Sequence, residues 1–453
     1  MNMRCRALGV AVVFCALADM TAGVARAQSP GELRSTGAPE SPAVPARLAD
    51  MPVTPAGKDW AVSIQPAPTP SFRQNPKAYL RAKGFDVSFS WAQFYQGVMS
   101  GDPEDMGGYS GRVALGLTVD GEKIGLWRGF SISAIGEAVY GDTVLIRSPI
   151  LLPVNTAMLF PAFGGQDAGV SVTVNQRFGE RATLTAGKIN LSTILNRAPL
   201  LGGGGVDTFM NVMVAAPVSG ITPPYLTGAI LNVASSPLRY TVMVYDPRNA
   251  QSSDVWTDPF AEGVVISVSA MRPVPIKGLL GTHTLRGAYN TGSATDLREI
   301  PELIRPGGPT APLSTKQGSY YASYTFTQNL VQRVPDQPMT QSWGLFGQIG
   351  FSDSNPNPVA AQGYLGFGGS SLLADRPLDR FGVAFFWLSF SDEIRGPLNE
   401  ILGAGLRTER GVEMYYNYAV RPWLRLTPSL QVVRQGLPGR AAVLGAFRAE
   451  VRF

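Results

Sequence analysis

From Phe85 to its last residue the chain is patterned in twos. Segments in which apolar and polar side chains alternate, or in which β-branched residues gather, recur roughly every 23 residues. Sixteen of them are predicted as strands: residues 85–95, 111–121, 129–140, 168–178, 181–191, 227–235, 238–246, 263–271, 281–292, 318–329, 342–352, 362–370, 379–391, 410–419, 422–434 and 442–453. Most run 9–13 residues, near the ~9–11 that a tilted strand needs to cross a bilayer.

The closing strand, "LGAFRAEVRF", shows what the alternation is for. Val443, Gly445, Phe447, Ala449, Val451 and Phe453 share one face, and Leu444, Ala446, Arg448, Glu450 and Arg452 the other. A face this apolar opposite one this charged fits lipid on one side and water on the other. The same division recurs. In "GVEMYYNYA", Val412, Met414, Tyr416 and Tyr418 oppose Glu413, Tyr415 and Asn417. In "LRLTPSLQVV", Leu424, Leu426, Leu430 and Val432 oppose Arg425, Thr427, Ser429 and Gln431. Pro428 has no N–H to give a ladder, so a bulge or break is expected there. In "GVSVTVNQRF", Val170, Val172 and Val174 oppose Ser171, Thr173, Asn175 and Arg177.

The connections add a test independent of hydrophobicity. Long segments (141–167, 192–226, 247–262, 293–317, 392–409) alternate with short ones (179–180, 236–237, 420–421), the pattern fading only around 353–361 and 371–378. Long external loops and short periplasmic turns produce this order in outer-membrane barrels. The mature chain has no run of 18 apolar residues for a helical span. A sheet in lipid must close on itself, because an open edge leaves backbone groups unpaired. The fold class is therefore all-β, a transmembrane antiparallel barrel of about 16 strands. Trp91, Trp343, Trp423, Tyr140, Tyr245, Phe178 and Phe453 lie near strand ends, where interfacial aromatics belong. A terminal Phe on such a strand resembles the signal read by the β-barrel assembly machinery.

Composition agrees with export. Charged residues are 16% of the chain, below the roughly 25% of soluble domains, at 45% hydrophobic residues. Arg4 and Arg6, the apolar run from Ala7 to Ala18 and Ala25-Arg26-Ala27 read as a signal peptide over residues 1–27. Both cysteines, Cys5 and Cys15, lie within it, so a mature chain has no disulfide, thiol nucleophile or cysteine metal site. Its removal takes three Arg and one Asp, so the formal charge falls from +5 to +3. Without basic blocks carrying interleaved aromatics, nothing points to nucleic acid. Residues 28–75, with nine prolines, read as a periplasmic linker, and 76–453 as the barrel domain.

Segment 192–226, "STILNRAPLLGGGGVDTFMNVMVAAPVSGITPPYL", is long and apolar enough to fold into the barrel rather than extend into water. Capping the mouth is the alternative, and either arrangement narrows the channel. Gly202 to Gly205 permit a sharp turn. They are not read as a phosphate cradle, since no Lys-Ser/Thr follows.

Over roughly residues 78–453 the chain resembles the carbohydrate-selective porins, the OprB family. The resemblance is carried most by "RGVEMYYNYAVRPWLRLTPSLQVV", similar to the family's Glu-x-x-Tyr and Trp-Leu-x-Leu-x-Pro-x-Leu-Gln segment. "DRPLDRFGVAFFW" resembles its Arg-Pro-x-Asp-x-x-Gly stretch, and "GLFGQIGFSDSNPNP" the strand and loop before it. "LRAKGFDVSFSW", "TAGKINLS" and "DTFMNVMVAAP" are similar near the start. Pro428-Ser429-Leu430-Gln431 stands where the family has Pro-Asp-Leu-Gln. The resemblance implies a sixteen-stranded barrel in the outer membrane of a Gram-negative bacterium. It would pass glucose-like sugars by facilitated diffusion, as a monomer and with no cofactor.

A sugar pathway needs hydrogen-bonding groups and aromatic faces. Inward Arg112, Arg177, Arg239, Arg286 and Arg448, with Lys188, are expected along one wall, opposite Glu137 and Glu413. Arg380, Tyr415, Asn417, Arg425, Gln431 and Glu450 complete the candidate lining. The same polar wall would serve a general small-solute porin. An outer-membrane enzyme is the rival class, and its base would have to be His283, the one histidine. In "GTHTLRGAY" it shares the lipid face with Leu285, Gly287 and Tyr289. A structural or export barrel, with the proline-rich arm holding a partner, is the third possibility.

Overall fold

The computed structural model describes residues 72–73, 75–102, 107–141, 150–162, 167–195, 200–201, 205–251, 254–303, 311–334, 341–373, 375–402 and 405–453. The predicted signal peptide and nearly all of the linker lie outside them. Sixteen strands form one closed antiparallel barrel in sequence order, the first hydrogen-bonded to the last. They are β1 (Phe85–Ser100), β2 (Gly107–Asp120), β3 (Phe130–Gly141), β4 (Ala168–Phe178), β5 (Ala182–Asn190), β6 (Tyr225–Ser235), β7 (Leu238–Tyr245), β8 (Val265–Pro273), β9 (Gly281–Thr295), β10 (Thr315–Gln332), β11 (Ser342–Ser352), β12 (Val359–Ser370), β13 (Arg380–Phe390), β14 (Glu409–Arg421), β15 (Leu424–Arg434) and β16 (Ala442–Arg452). No helix among the described residues is long and apolar enough to cross a membrane.

All sixteen predicted segments are strands. β1 and β10 run further than the side-chain pattern indicates, because the ladder continues where the alternation has faded. Gly97 pairs with Gly107 on β2 and Gly445 on β16, two neighbours with no side chain to reveal a face. Closure is in register, with Trp91 opposite Val451 and Phe94 opposite Arg448. At Pro428 the expected interruption occurs on one edge. The β15–β16 register runs through Pro428 and Phe447. The β14–β15 ladder skips from Tyr415 and Ser429 to Tyr418 and Leu426, where the missing N–H would have paired.

The faces divide as the alternation requires. Phe447, Phe453, Met414, Tyr418, Val432, Val170, Val172 and Val174 are exposed on the outer wall, and Arg448, Glu450, Glu413, Asn417 and Thr427 are buried inside. Trp91, Tyr140, Phe178, Trp423 and Phe453 are exposed outer-wall aromatics. Tyr245 is a correction. It points inward, is 1% exposed and packs with Ile221, Leu226 and Val265, because parity on β7 puts it with Thr241 and Met243.

The lumen is occupied in part by the long connections. Residues 150–162 and 205–216 pack against the inner wall, placing Ile150, Leu152, Phe209, Val212 and Met213 in one apolar cluster with Phe346, Tyr364 and Phe386. The helix Asp392–Leu402 adds Ile394 and Leu398 to that cluster. The main apolar core thus lies inside the barrel, between inserted loop and sheet. Gly382 makes room for it: a Cβ there would lie 2.5 Å from the Phe209 ring and 2.6 Å from the Tyr415 ring.

Candidate pore and inserted loop

Inward residues of β14 hold the inserted segments in a row. Glu409, Glu413 and Asn417 are four apart, hence on one face, and span about 26 Å of strand at ~3.3 Å per residue. The Glu409 carboxylate accepts from the backbone N–H groups of Leu151 (2.8 Å), Leu152 (3.0 Å) and Gly436 (3.0 Å). Glu413 accepts from Met210 N (2.7 Å), Asn211 N (2.8 Å) and Ser429 Oγ (3.1 Å). The Asn417 amide donates to Asp207 O (2.9 Å). A carboxylate taking two consecutive amides satisfies donors that a loop inside a barrel could not otherwise pair.

Neighbouring strands repeat the arrangement. Gln431 donates to Val154 O (2.9 Å) and accepts from the Asn211 amide (3.1 Å). Arg448 donates through Nη1 to Gly205 O (2.8 Å) and Thr208 O (3.0 Å). The Tyr415 ring meets Phe209 edge to face at 4.8 Å. Gly205 turns the chain with φ of +81°, a conformation suited to glycine. Gly202, Gly203 and Gly204 lie outside the described residues.

Near the short-turn end sits Asp207. Arg380 reaches its carboxylate at 2.8 Å, Arg452 at 3.2 Å and Arg425 at 3.6 Å. Burial pushes the Asp207 carboxyl up, but the guanidinium groups of Arg380, Arg452 and Arg425 outweigh it and hold the group well below the usual carboxylate range. Arg425 also donates to Asn417 Oδ1 (3.0 Å) and Leu378 O (2.8 Å), and Glu450 lies 4.0 Å from Arg452.

These contacts revise the expected lining. Glu413, Tyr415, Asn417, Arg425, Gln431, Arg448 and Glu450 face inward, yet each is at most 5% exposed. Inserted segments cover this part of the wall, and Glu413, Asn417, Gln431 and Arg448 bond to their backbone instead of bordering open water. Sequence parity finds their direction and cannot show what lies on top of them.

On the rest of the wall the expected opposition of charges also changes. Arg112 and Glu137 are neighbours on β2 and β3 and form an ion pair. Glu137 accepts in addition from the Asn190 amide (2.5 Å) and the Tyr225 hydroxyl. Lys188 donates to Gln251 Oε1 (3.1 Å), with its ammonium 5.5 Å from the centre of the Tyr225 ring. Arg286 donates to Ser267 Oγ (2.9 Å) and Thr222 Oγ1 (3.0 Å) and lies 5.7 Å from the centre of the Tyr321 ring. Arg239 and Arg177 stand at strand ends beside the short turns, Arg177 exposed.

Between these charges the wall is hydroxyl and amide. Thr118 meets Ser133 (3.0 Å), Thr185 donates to Asn175 (2.8 Å), Thr241 to Asn232 (2.7 Å) and Thr325 to Gln348 (3.0 Å). Thr282 meets Thr327 at 2.7 Å. Asp207, Glu409, Asn190 and Tyr225 were not singled out in the sequence. The first lies inside the quoted "DTFMNVMVAAP" and Asn190 inside "TAGKINLS", but no local signal separates a loop anchor from any polar loop residue.

His283 lies on the outer wall and hydrogen-bonds through Nδ1 to the Tyr324 hydroxyl at 2.5 Å. Among the described residues no group of three or more His, Cys, Asp or Glu is arranged to hold a metal ion.

The family model of the carbohydrate-selective porins, OprB family, matches residues 107–453. The high-pH structure of Pseudomonas putida OprB covers 84% of this chain and 97% of its own, with a TM-score of 0.70 at 18% identity. The low-pH structure of the same protein has the same coverage, a TM-score of 0.46 and 14% identity. Pseudomonas aeruginosa OpdK with vanillate covers 82% of this chain and 98% of its own, with a TM-score of 0.44 at 10% identity. No curated protein matches the sequence. At 18% identity the high-pH structure speaks for the fold alone.

Proposed function

Because the chain belongs to the carbohydrate-selective porin family OprB, we propose that it carries glucose-like sugars across the outer membrane by facilitated diffusion through the passage left beside the inserted loop. The observation that carries the proposal is the contrast within the lumen. One part of the wall is sealed beneath apolar loop residues such as Phe209 and Met213. Elsewhere the wall presents Thr185, Asn175, Thr241, Asn232, Thr325 and Gln348, with Lys188 and Arg286 beside the Tyr225 and Tyr321 rings. Hydroxyl and amide groups exchange hydrogen bonds with a sugar as readily as with water, and many weak contacts allow passage where one tight site would trap the solute.

Arg112, Lys188, Arg286, Arg239 and Arg177 are assigned to the passage under this reading, and Glu137, buried beneath Asn190 and Tyr225, and the covered residues of β14–β16 to its support. The barrel works as a channel rather than an enzyme, and as a single barrel among lipids, after export on residues 1–27 and insertion by the assembly machinery. Residues 28–75 form a periplasmic linker.

Liposome swelling tests the proposal with glucose, a disaccharide and an amino acid of glucose-like size. Rapid glucose entry with slow entry of the amino acid supports it. Entry ordered by size alone leaves a general porin, and no swelling refutes a pore.

A further inference from the structure

The loop between β5 and β6 enters at the long-loop end, where Asn190 closes β5 and Tyr225 opens β6. Asp207, midway along it, meets Arg380, the first residue of β13, and Arg452, the last of β16. It also meets Arg425, the second residue of β15. All three positions are at the short-turn end. The loop therefore runs down the lumen from one mouth to the other, and Asp207 is its deepest described charged contact. The surrounding groups hold that stretch from several sides. Arg448 takes the carbonyls of Gly205 and Thr208, Asn417 takes the carbonyl of Asp207, and Arg380 takes that of Leu200.

We propose that Asp207 is the positioning residue for the channel's exit, its carboxylate latching the inserted loop to the wall of β13–β16 and so setting the width of the short-turn mouth. The proposal rests on the reading of the barrel as a solute channel. Three guanidinium groups from three strands converge on this one carboxylate. Removing its charge leaves them to repel one another around a neutral side chain, and the loop is then held at this end only through its backbone carbonyls. Contacts higher in the barrel, at Glu413 and Gln431, keep the loop inside. The expected change is therefore mobility at the exit and not loss of the barrel.

Asp207→Asn, which preserves shape and removes charge, is compared with the parent protein in planar bilayers and in swelling assays, with folding checked by heat-modifiable migration. The latch predicts a rise of about twofold in mean conductance, stronger current fluctuation and a smaller difference between glucose and disaccharide entry, with the barrel folded. A role confined to stability lowers the unfolding temperature and leaves conductance alone. Folded Asp207→Asn with parental conductance and noise overturns the latch. If Asp207→Asn does not fold, Arg452→Gln is read in the same way, and parental behaviour of that variant overturns it. Should the parent fail to discriminate sugars, the sugar pathway falls, while the conductance comparison still decides the latch.

Discussion

The Glu413 carboxylate on β14 receives the backbone N–H groups of Met210 and Asn211, the latter 202 residues away in sequence, at 2.7 and 2.8 Å. A strand residue on the lumen face of a barrel is thereby committed to holding protein. The inserted loop is built on this relationship, and four residues earlier Glu409 repeats it with Leu151 and Leu152.

Glu413→Ala leaves two buried amides without an acceptor, at a cost of about 1–3 kcal/mol for each unsatisfied group. The barrel should still close, since no ladder bond is removed. The unfolding temperature in detergent should fall and channel noise should rise. A variant with parental melting and parental noise would show that the clamp is energetically idle.

Gly382→Ala should displace Phe209. The added methyl carbon meets the Phe209 and Tyr415 rings at 2.5 and 2.6 Å, inside any allowed contact. Overpacking of this kind costs about 1–3 kcal/mol. In a Phe209→Ala background the Gly382→Ala change should cost much less, because one of the two rings is gone, and an unchanged cost in that double-mutant cycle contradicts this packing.

Acidification tests Asp207. Its carboxyl is held below the ordinary range, so its contribution is fully present above the unfolded-state value of about 3.9 and is lost as pH falls through the lower folded value. The stability difference between parent and Asp207→Asn should stay constant from pH 7 to about pH 5 and shrink only in stronger acid. Unfolding midpoints across that range measure it. A difference already gone at pH 5 contradicts the placement of the three arginines.

Lys188→Gln and Arg286→Gln each remove a positive charge from the wall assigned to the passage. Each should shift the reversal potential in a salt gradient toward cations, with the permeability ratio changing about twofold. Unchanged reversal potentials would place both groups away from the ion path.

His283→Ala should leave swelling rates and conductance at parental values, because the imidazole is on the outer wall against Tyr324. Altered sugar entry in this variant would tie the outer face to transport.

Much of the molecule is readable from residue order because a β-strand has a period of two, and lipid on one face and a polar lumen on the other enforce it. "LGAFRAEVRF" places Phe447 outside and Arg448 inside, and the structure agrees. The long and short connections likewise lead to a closed barrel with its long loops at one end. Parity gives a direction, however, and never the medium that lies there. Glu413, Asn417 and Arg448 point inward as expected and are covered, because segments 150–162 and 205–216 fold back over them. No periodicity governs those segments. Their positions come from long-range bonds such as Glu409 with Leu151 and Asp207 with Arg452. Strands and faces follow from local alternation in a two-solvent environment, whereas the division of the lumen into support and passage follows from contacts that exist only once the barrel has closed.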